Sequence, residues 1–479
     1  MVSSQSSQST QTPSETELIL LSGASRGALL EKIAALQSFC AKHPHDSLGD
    51  LAFTLATQET PSEMRLTLVA SSVADLEKKL TRASERLQDS NCRQIRDVQG
   101  IYFFENPLGR EGQVAALFPG EGAPYLGMIG DLPSHFPEVA QVISQCDEMT
   151  RSGGQAQLSR FLSVPEEADQ RSQLEQELGG LGNTMFSVLM VDWALHDLFR
   201  SLGITPDAVA GHSAGELAAL WVSGSLVGQL ELEELRQTMD FLDTDEQSAD
   251  SESVLLAVGA SRESMQELLV EVSTEFGYAA DASPLFLAMD NCPHQTVLIG
   301  PPEAMAKVAE VLRERKTMHE RLPFNRPYHT PLFEPQMGPM ARMFDRMQFQ
   351  VPKIPLYSCT TGRPFPHEPD AIRELAMSHW IRRVEFSQMI RNMHDDGVRI
   401  FLELGPRGNL TSFVSDILRG REFLAVSADV QRHSGLTQLH HVLGQLFAQH
   451  VPMQPAALYR HRELKTIAWN SKMLAPVPL

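Results

Sequence analysis

The chain has 479 residues, 40 Lys and Arg against 60 Asp and Glu, a formal charge of -20 and 42% hydrophobic residues. At roughly 100 to 200 residues per domain this length allows about two to four packed units, which excludes a single small module. The acidic balance argues against nucleic acid as a partner, and no window approaches the roughly 18 apolar residues of a membrane span.

The Ser/Gln/Thr-rich opening Met1 to Glu17 lacks the basic and apolar regions of a secretory signal, so a cytoplasmic protein is expected. The five cysteines are scattered and contain no C-x-x-C pair, so neither a disulfide framework nor a zinc site is indicated. Residues 1–14 read as a disordered tail and 15–110 as a small α/β linker domain. Within it ELILLSGAS is a strand, and helix-spaced Leu29, Ile33, Leu36 and Phe39 follow. A helix (SLGDLAFTLATQ), a strand (EMRLTLVAS) and a helix (VADLEKKLTRASERLQ) complete that unit.

The next strand, VAALF, breaks at the turn Pro119-Gly120-Glu121-Gly122, and strands then alternate with helices, as in a parallel sheet. Over 251–326 the order is strand, helix, strand, strand, helix, strand. That βαββαβ order is ferredoxin-like and marks a small inserted subdomain. The large subdomain is expected over 111–250 and 327–440, with a helix around Trp380 to Met393, the strand RIFLELG and a helix near Asn409. Residues 441–479 read as a C-terminal linker that wraps onto the body. His440, His441 and His450 lack metal spacing and are expected at the surface.

The chemistry centres on Gly211-His212-Ser213-Ala214-Gly215-Glu216, between the apolar run DAVA and the helical LAALWVSG. A sharp strand-to-helix turn of this kind needs small flanking residues so that the serine hydroxyl stands exposed at the helix N-terminus. A serine nucleophile also needs a base and oxyanion donors. Among 16 histidines the base candidate is His329, in Arg326-Pro327-Tyr328-His329-Thr330-Pro331. The oxyanion donors would be the backbone amides of Ala214 and Glu121, for which the side chain at 121 need not be specific.

FPGEGAPYLGM, GHSAGE and RPYHTPLFEP, with NCPHQTVLIG and ELGPRGNLT, resemble the acyltransferase family of polyketide and fatty-acid synthases, the malonyl-CoA:acyl carrier protein transacylase class. The resemblance runs from about Gln113 to Gln445, and the flanks look like synthase linkers. It implies an α/β-hydrolase-like large subdomain with a ferredoxin-like small one, and a Ser213-His329 dyad whose histidine is oriented by a backbone carbonyl. It also implies acyl-CoA as substrate and the phosphopantetheine thiol of an acyl carrier protein as acceptor, with other polyketide synthase domains as further partners. No metal or bound cofactor is expected.

The sequence departs from the family in two places. Glu121 stands where the family usually has Gln, and the arginine that holds a dicarboxylic acyl group is replaced by Thr238 or, in a second alignment, by Phe241. With His212, Arg326 and Tyr328 these line the expected pocket. Arg236 lies near but out of phase, and Arg326 is the other cation that could take the clamp's place. A carboxylate buried without a cation is costly, so a monocarboxylic, starter-type acyl group is preferred over malonyl. Alternatives are a malonyl-specific acyltransferase, an acyl hydrolase that clears stalled thioesters, and a noncatalytic docking subunit. Residues 231–253 are strongly acidic and their second half reads as a solvated loop, and Arg313, Arg315, Lys316 and Arg321 form a basic cluster that could steer an acidic carrier protein.

Overall fold

The computed structural model describes residues 14–152, 157–227, 238, 253–323 and 325–469. The chain opens with β1 (Glu17–Gly23), α1 (Arg26–Lys42), α2 (Leu48–Gln58), β2 (Met64–Ala70), α3 (Val73–Gln88), β3 (Gln94–Asp97) and β4 (Ile101–Phe104). Ser25, Ser47 and Ser72 cap the three helices with their side chains, so each helix begins where a serine can accept an orphan amide. The strands pair antiparallel in the order β1-β2-β4-β3, and the apolar stripe Leu29, Ile33, Leu36 and Cys40 of α1 is fully buried.

A second sheet of five strands is parallel throughout, in the order β11-β6-β5-β12-β13. Its members are β5 (Gln113–Phe118), β6 (Ala208–Gly211), β11 (Leu356–Tyr357), β12 (Val398–Glu403) and β13 (Leu424–Ser427). Their almost unbroken burial fits a sheet covered on both faces. Around it pack α4 (Pro137–Ser152), α5 (Leu181–Ser201), α6 (Gly215–Val222), α9 (Phe386–Asp395) and α10 (Asn409–Ile417), while α11 (Gly435–Ala448) packs against β1, β2 and β4 of the first sheet.

Between α6 and β11 a four-stranded antiparallel sheet runs in the order β10-β7-β9-β8. Chain order gives β7 (Val254–Val258), α7 (Arg262–Glu275), β8 (Phe286–Cys292), β9 (Gln295–Gly300), α8 (Pro302–Glu314) and β10 (His319–Arg321). The observed order is thus βαββαβ, with its own apolar core of Leu256, Leu268, Val272, Leu298, Val308 and Leu312.

Three local expectations need correction. The helix expected from Trp380 begins at Phe386, because residues 379–381 form a separate 3-10 turn. Residues 441–448 belong to α11, whose residues are all buried, and the chain becomes irregular only beyond it. His440 and His441 are therefore interior and His450 is half-buried, none at the open surface. Spacing for metal binding says nothing about burial, and a helix covered on every side can carry polar residues where each finds a partner. Here Thr16 Oγ1 sits 2.9 Å from His440 Nδ1, and Tyr102 Oη sits 2.7 Å from His441 Nδ1.

Candidate active site

Ser213 lies just past the carboxyl end of β6 and Glu121 just past that of β5, the end of a parallel sheet where ligands are usually received. Ser213 has φ 52°, a left-handed value that a non-glycine residue adopts only when its surroundings force it. The flanking glycines explain how the turn closes. A Cβ on Gly211 would collide with the backbone of Gly215 and Glu216, and one on Gly215 with the carbonyls of Phe118 and Pro119. Ala214 sits at the start of α6, where amides lack intrahelical acceptors.

His329 meets the serine from the chain returning after the inserted sheet. Its Nε2 is 2.6 Å from Ser213 Oγ, and its Nδ1 is 2.7 Å from the backbone carbonyl of His379. A carbonyl only accepts, so Nδ1 carries the proton and Nε2 presents a lone pair to the hydroxyl. His329 has φ 61°, and its own N–H donates to the Trp380 carbonyl at 2.6 Å, so backbone and ring are both held from residues 379 and 380. Burial, helped by the neighbouring His379 ring, pushes its pKa down to about 4, while the Glu121 charge acts the other way.

Glu121 reaches the serine through its side chain as well as standing where its amide was expected to act. Its carboxylate is buried, and Oε1 lies 3.3 Å from Ser213 Oγ. Burial and then the Glu121 charge hold the Tyr328 hydroxyl well above its ordinary pKa. Glu121, Tyr328 and Arg326 line one cavity with Leu181, Met185, Phe333 and Trp380. Arg326 is buried and donates through Nη1 to Gln336 Oε1 at 2.7 Å. Thr238 is buried, and Phe241 and Arg236 lie outside the described residues, as does the acidic stretch apart from Thr238 and Ser253.

His212 has Nε2 2.7 Å from Asn291 Oδ1 on β8 of the inserted sheet. Four anchoring groups have roles that the sequence reading did not assign, although Asn291, Glu216 and Arg407 lie within the motifs NCPHQTVLIG, GHSAGE and ELGPRGNLT. Asn291 ties the elbow to the inserted sheet, and the His379 carbonyl orients the base. Glu216 accepts the Cys359 N–H at 2.6 Å, with its pKa raised by burial to about 7. Arg407 donates to the carbonyls of Ala123 and Pro124 at 3.0 and 2.8 Å, fixing the loop that carries Glu121. ELGPRGNLT contains Arg407 but offers no reason to prefer it over its neighbours.

Arg313, Arg315, Lys316 and Arg321 are all exposed, at the end of α8 and on β10. Arg315 pairs with Glu271 of α7, so part of the cluster's charge is locally balanced. Among the described residues no group of His, Cys, Asp or Glu could hold a metal ion, and no helix is long and apolar enough to cross a membrane.

Fold and elbow together define an α/β protein with a strained serine at the head of a helix. The chain belongs to the acyl transferase domain family, which it matches over residues 116–452, and residues 17–80 match the family described as CurL-like, PKS C-terminal. It is 26% identical to malonyl CoA-acyl carrier protein transacylase of Bacillus subtilis over 66% of this chain and 93% of that protein. It is 26% identical to the polyketide synthase GfsA of Streptomyces halstedii over 88% of this chain, and the match spans only 5% of that protein. Among solved structures, the acyl transferase domain of ZmaA shares the fold with a TM-score of 0.76 at 18% identity, covering 96% of this chain and 99% of that one. The transacylase of Coxiella burnetii does so with 0.58 at 22% identity, over 71% and 99%.

Proposed function

We propose that the protein moves an acyl group from acyl-CoA to the phosphopantetheine thiol of an acyl carrier protein through an acyl ester on Ser213, in polyketide or fatty-acid type biosynthesis. The observation that carries this reading is the contact of 2.6 Å between Ser213 Oγ and an imidazole whose other nitrogen is committed to the His379 carbonyl. His329 Nε2 takes the serine proton as Oγ attacks the thioester carbonyl, and the amides of Ala214 and Glu121 receive the oxyanion. The C–S bond breaks, His329 returns the proton to sulfur, and CoA leaves as the thiol. The carrier thiol then gives its proton to His329 and attacks the ester, and Oγ departs with that proton. Both half-reactions involve only proton transfer and acyl exchange, which gives ping-pong kinetics.

The acyl group is read as uncharged, because neither Thr238 nor Phe241 offers a cation at the position where the family's arginine is expected. Four of the seven residues lining the cavity that Glu121 shares, Leu181, Met185, Phe333 and Trp380, are apolar, which supports the same choice. Intact-protein mass spectrometry after incubation with acetyl-, medium-chain, aryl- and malonyl-CoA tests the reading. Adducts from the uncharged donors, absent in Ser213→Ala, are expected. Exclusive malonyl labelling would leave the acyl-serine step standing and overturn the choice of donor, and release of free acid in place of transfer to a carrier would favour the hydrolase.

A further inference from the structure

We infer that Glu121 is a second catalytic base for Ser213, a carboxylate able to take the serine proton in place of His329. The inference rests on the acyl-serine reading above and adds a residue to its machinery.

Two acceptors reach the serine hydroxyl. His329 Nε2 is 2.6 Å from Oγ and Glu121 Oε1 is 3.3 Å from it, so the imidazole is the nearer and the carboxylate stands behind it. A base acts from about 2.6 to 3.2 Å, and such contacts are often longer before substrate binds, which puts Glu121 within reach of transfer. Both residues are buried, Glu121 8% and Ser213 2% exposed, so bulk water does not compete for the hydroxyl. The ionisable groups around the carboxylate are His329, His212 and Tyr328. Burial lowers the pKa of both imidazoles and raises that of the phenol, and the charge of Glu121 pulls all three upward. Arg326 lines a small cavity together with Glu121 and Tyr328. The carboxylate therefore acts on the dyad by charge as well as by contact.

The identity of the side chain decides what the contact can do. The glutamine usual in the family would offer the serine an amide, whose oxygen accepts a hydrogen bond but takes up no proton. The carboxylate that stands here has the same reach and takes the proton as well. As it passes from Oγ to Glu121 Oε1, Oγ bonds to the thioester carbon and the amides of Ala214 and Glu121 receive the oxyanion. The C–S bond then breaks and the Glu121 carboxyl returns the proton to sulfur, so CoA leaves as the thiol and the carboxylate is restored. The carrier thiol enters by the same route in reverse.

The rate of the Ser213 adduct in wild type, Glu121→Gln, His329→Ala and the double variant tests the assignment, read by intact-protein mass spectrometry with whichever of acetyl-CoA and malonyl-CoA labels the wild type. His329→Gln takes the place of His329→Ala where thermal melting shows the alanine variant unfolded. Glu121→Gln should slow His329→Ala by about tenfold or more and the wild type by a smaller factor. A side chain that only shaped the turn would cost the same factor in both backgrounds. On acidification the rate of His329→Ala should fall as the carboxylate takes up its proton, and that of the double variant should stay level, although His212 and Tyr328 are present in both. A folded His329 variant that takes no label, an equal cost in the two backgrounds, or an acid limb that survives in the double variant overturns the role of Glu121 and leaves Ser213 as the nucleophile. No adduct in the wild type from either donor overturns the acyl-serine reading, and the inference with it.

Discussion

At the scale of single residues, the base is set by what its two nitrogens face. Nδ1 donates to the His379 carbonyl, and burial drives the pKa to about 4, so the ring is neutral at ordinary pH with Nε2 free to take the serine proton. Because the neutral ring is the active form, the labelling rate of Ser213 should be level from pH 8 to about 5 and fall below that as His329 protonates. A mass-spectrometric time course at each pH reads this directly, and an acid limb near the ordinary histidine value would contradict the burial argument. Substituting His329→Ala should slow adduct formation by about 10² to 10⁴-fold, the range expected for a positioned general base. Ser213 and His329 are legible in the sequence because each sits in a motif whose spacing has a mechanical reason. The His379 carbonyl is not, because a backbone acceptor leaves no mark on residue identity. The contact of Glu121 with the serine is hidden for a different reason: the turn motif points to the residue's amide, and a charge acts through its side chain.

At the scale of elements, the elbow shows why a short motif can fix a tight turn. Gly215 passes so close to the Phe118 and Pro119 carbonyls that any side chain would have to displace the strand carrying Glu121. Gly215→Ala should therefore cost about 1 to 3 kcal/mol or more as an overpacked backbone contact. It should also lower labelling of Ser213 further than the stability loss alone explains, since the two halves of the oxyanion site move apart. Comparing thermal melting with adduct rate in the folded variant checks both parts. The alternation of strands and helices is readable from apolar periodicity, and so is the βαββαβ order of residues 254–321. The end of α11 is not, because GLTQLHHVLGQLFA is buried on every face and its polar residues find partners far away in sequence. Gly444 illustrates this: its carbonyl accepts from Thr67 Oγ1 at 3.0 Å, and the absence of a side chain lets β2 approach.

At the scale of the whole molecule, the first sheet and the end of the chain hold one another. Tyr459 donates to the Leu18 carbonyl at 3.1 Å, Arg462 pairs with the buried Glu17, and the amides of Lys465 and Ile467 reach Asp50 and Thr54 on α2. Beside this contact, α11 places His440 against Thr16 and His441 against Tyr102. Burial, more than the neighbouring cations, pushes these histidines to about 3 and about 4. Their folded values lie below the unfolded one, so they contribute fully above about pH 6.5. That contribution is lost as pH falls towards 4, because the unfolded chain takes up protons first. Glu216, Glu403 and Asp429, raised by burial to about 7, 7 and 6, act in the opposite sense, since the native state binds their protons first. Those carboxyls line the parallel sheet and the histidines the seam with the first sheet, so the two effects can be separated. The double variant His440→Gln, His441→Gln should be less stable than the wild type at pH 7.5, where both seam hydrogen bonds are rebuilt with a less rigid side chain. Between pH 7.5 and 5.5 it should lose less stability than the wild type, because two of the groups that drive that loss are gone. Urea denaturation followed by tryptophan fluorescence at the two pH values gives the comparison, and parallel pH dependences would mean that the seam histidines take up protons as readily in the folded chain as in the unfolded one.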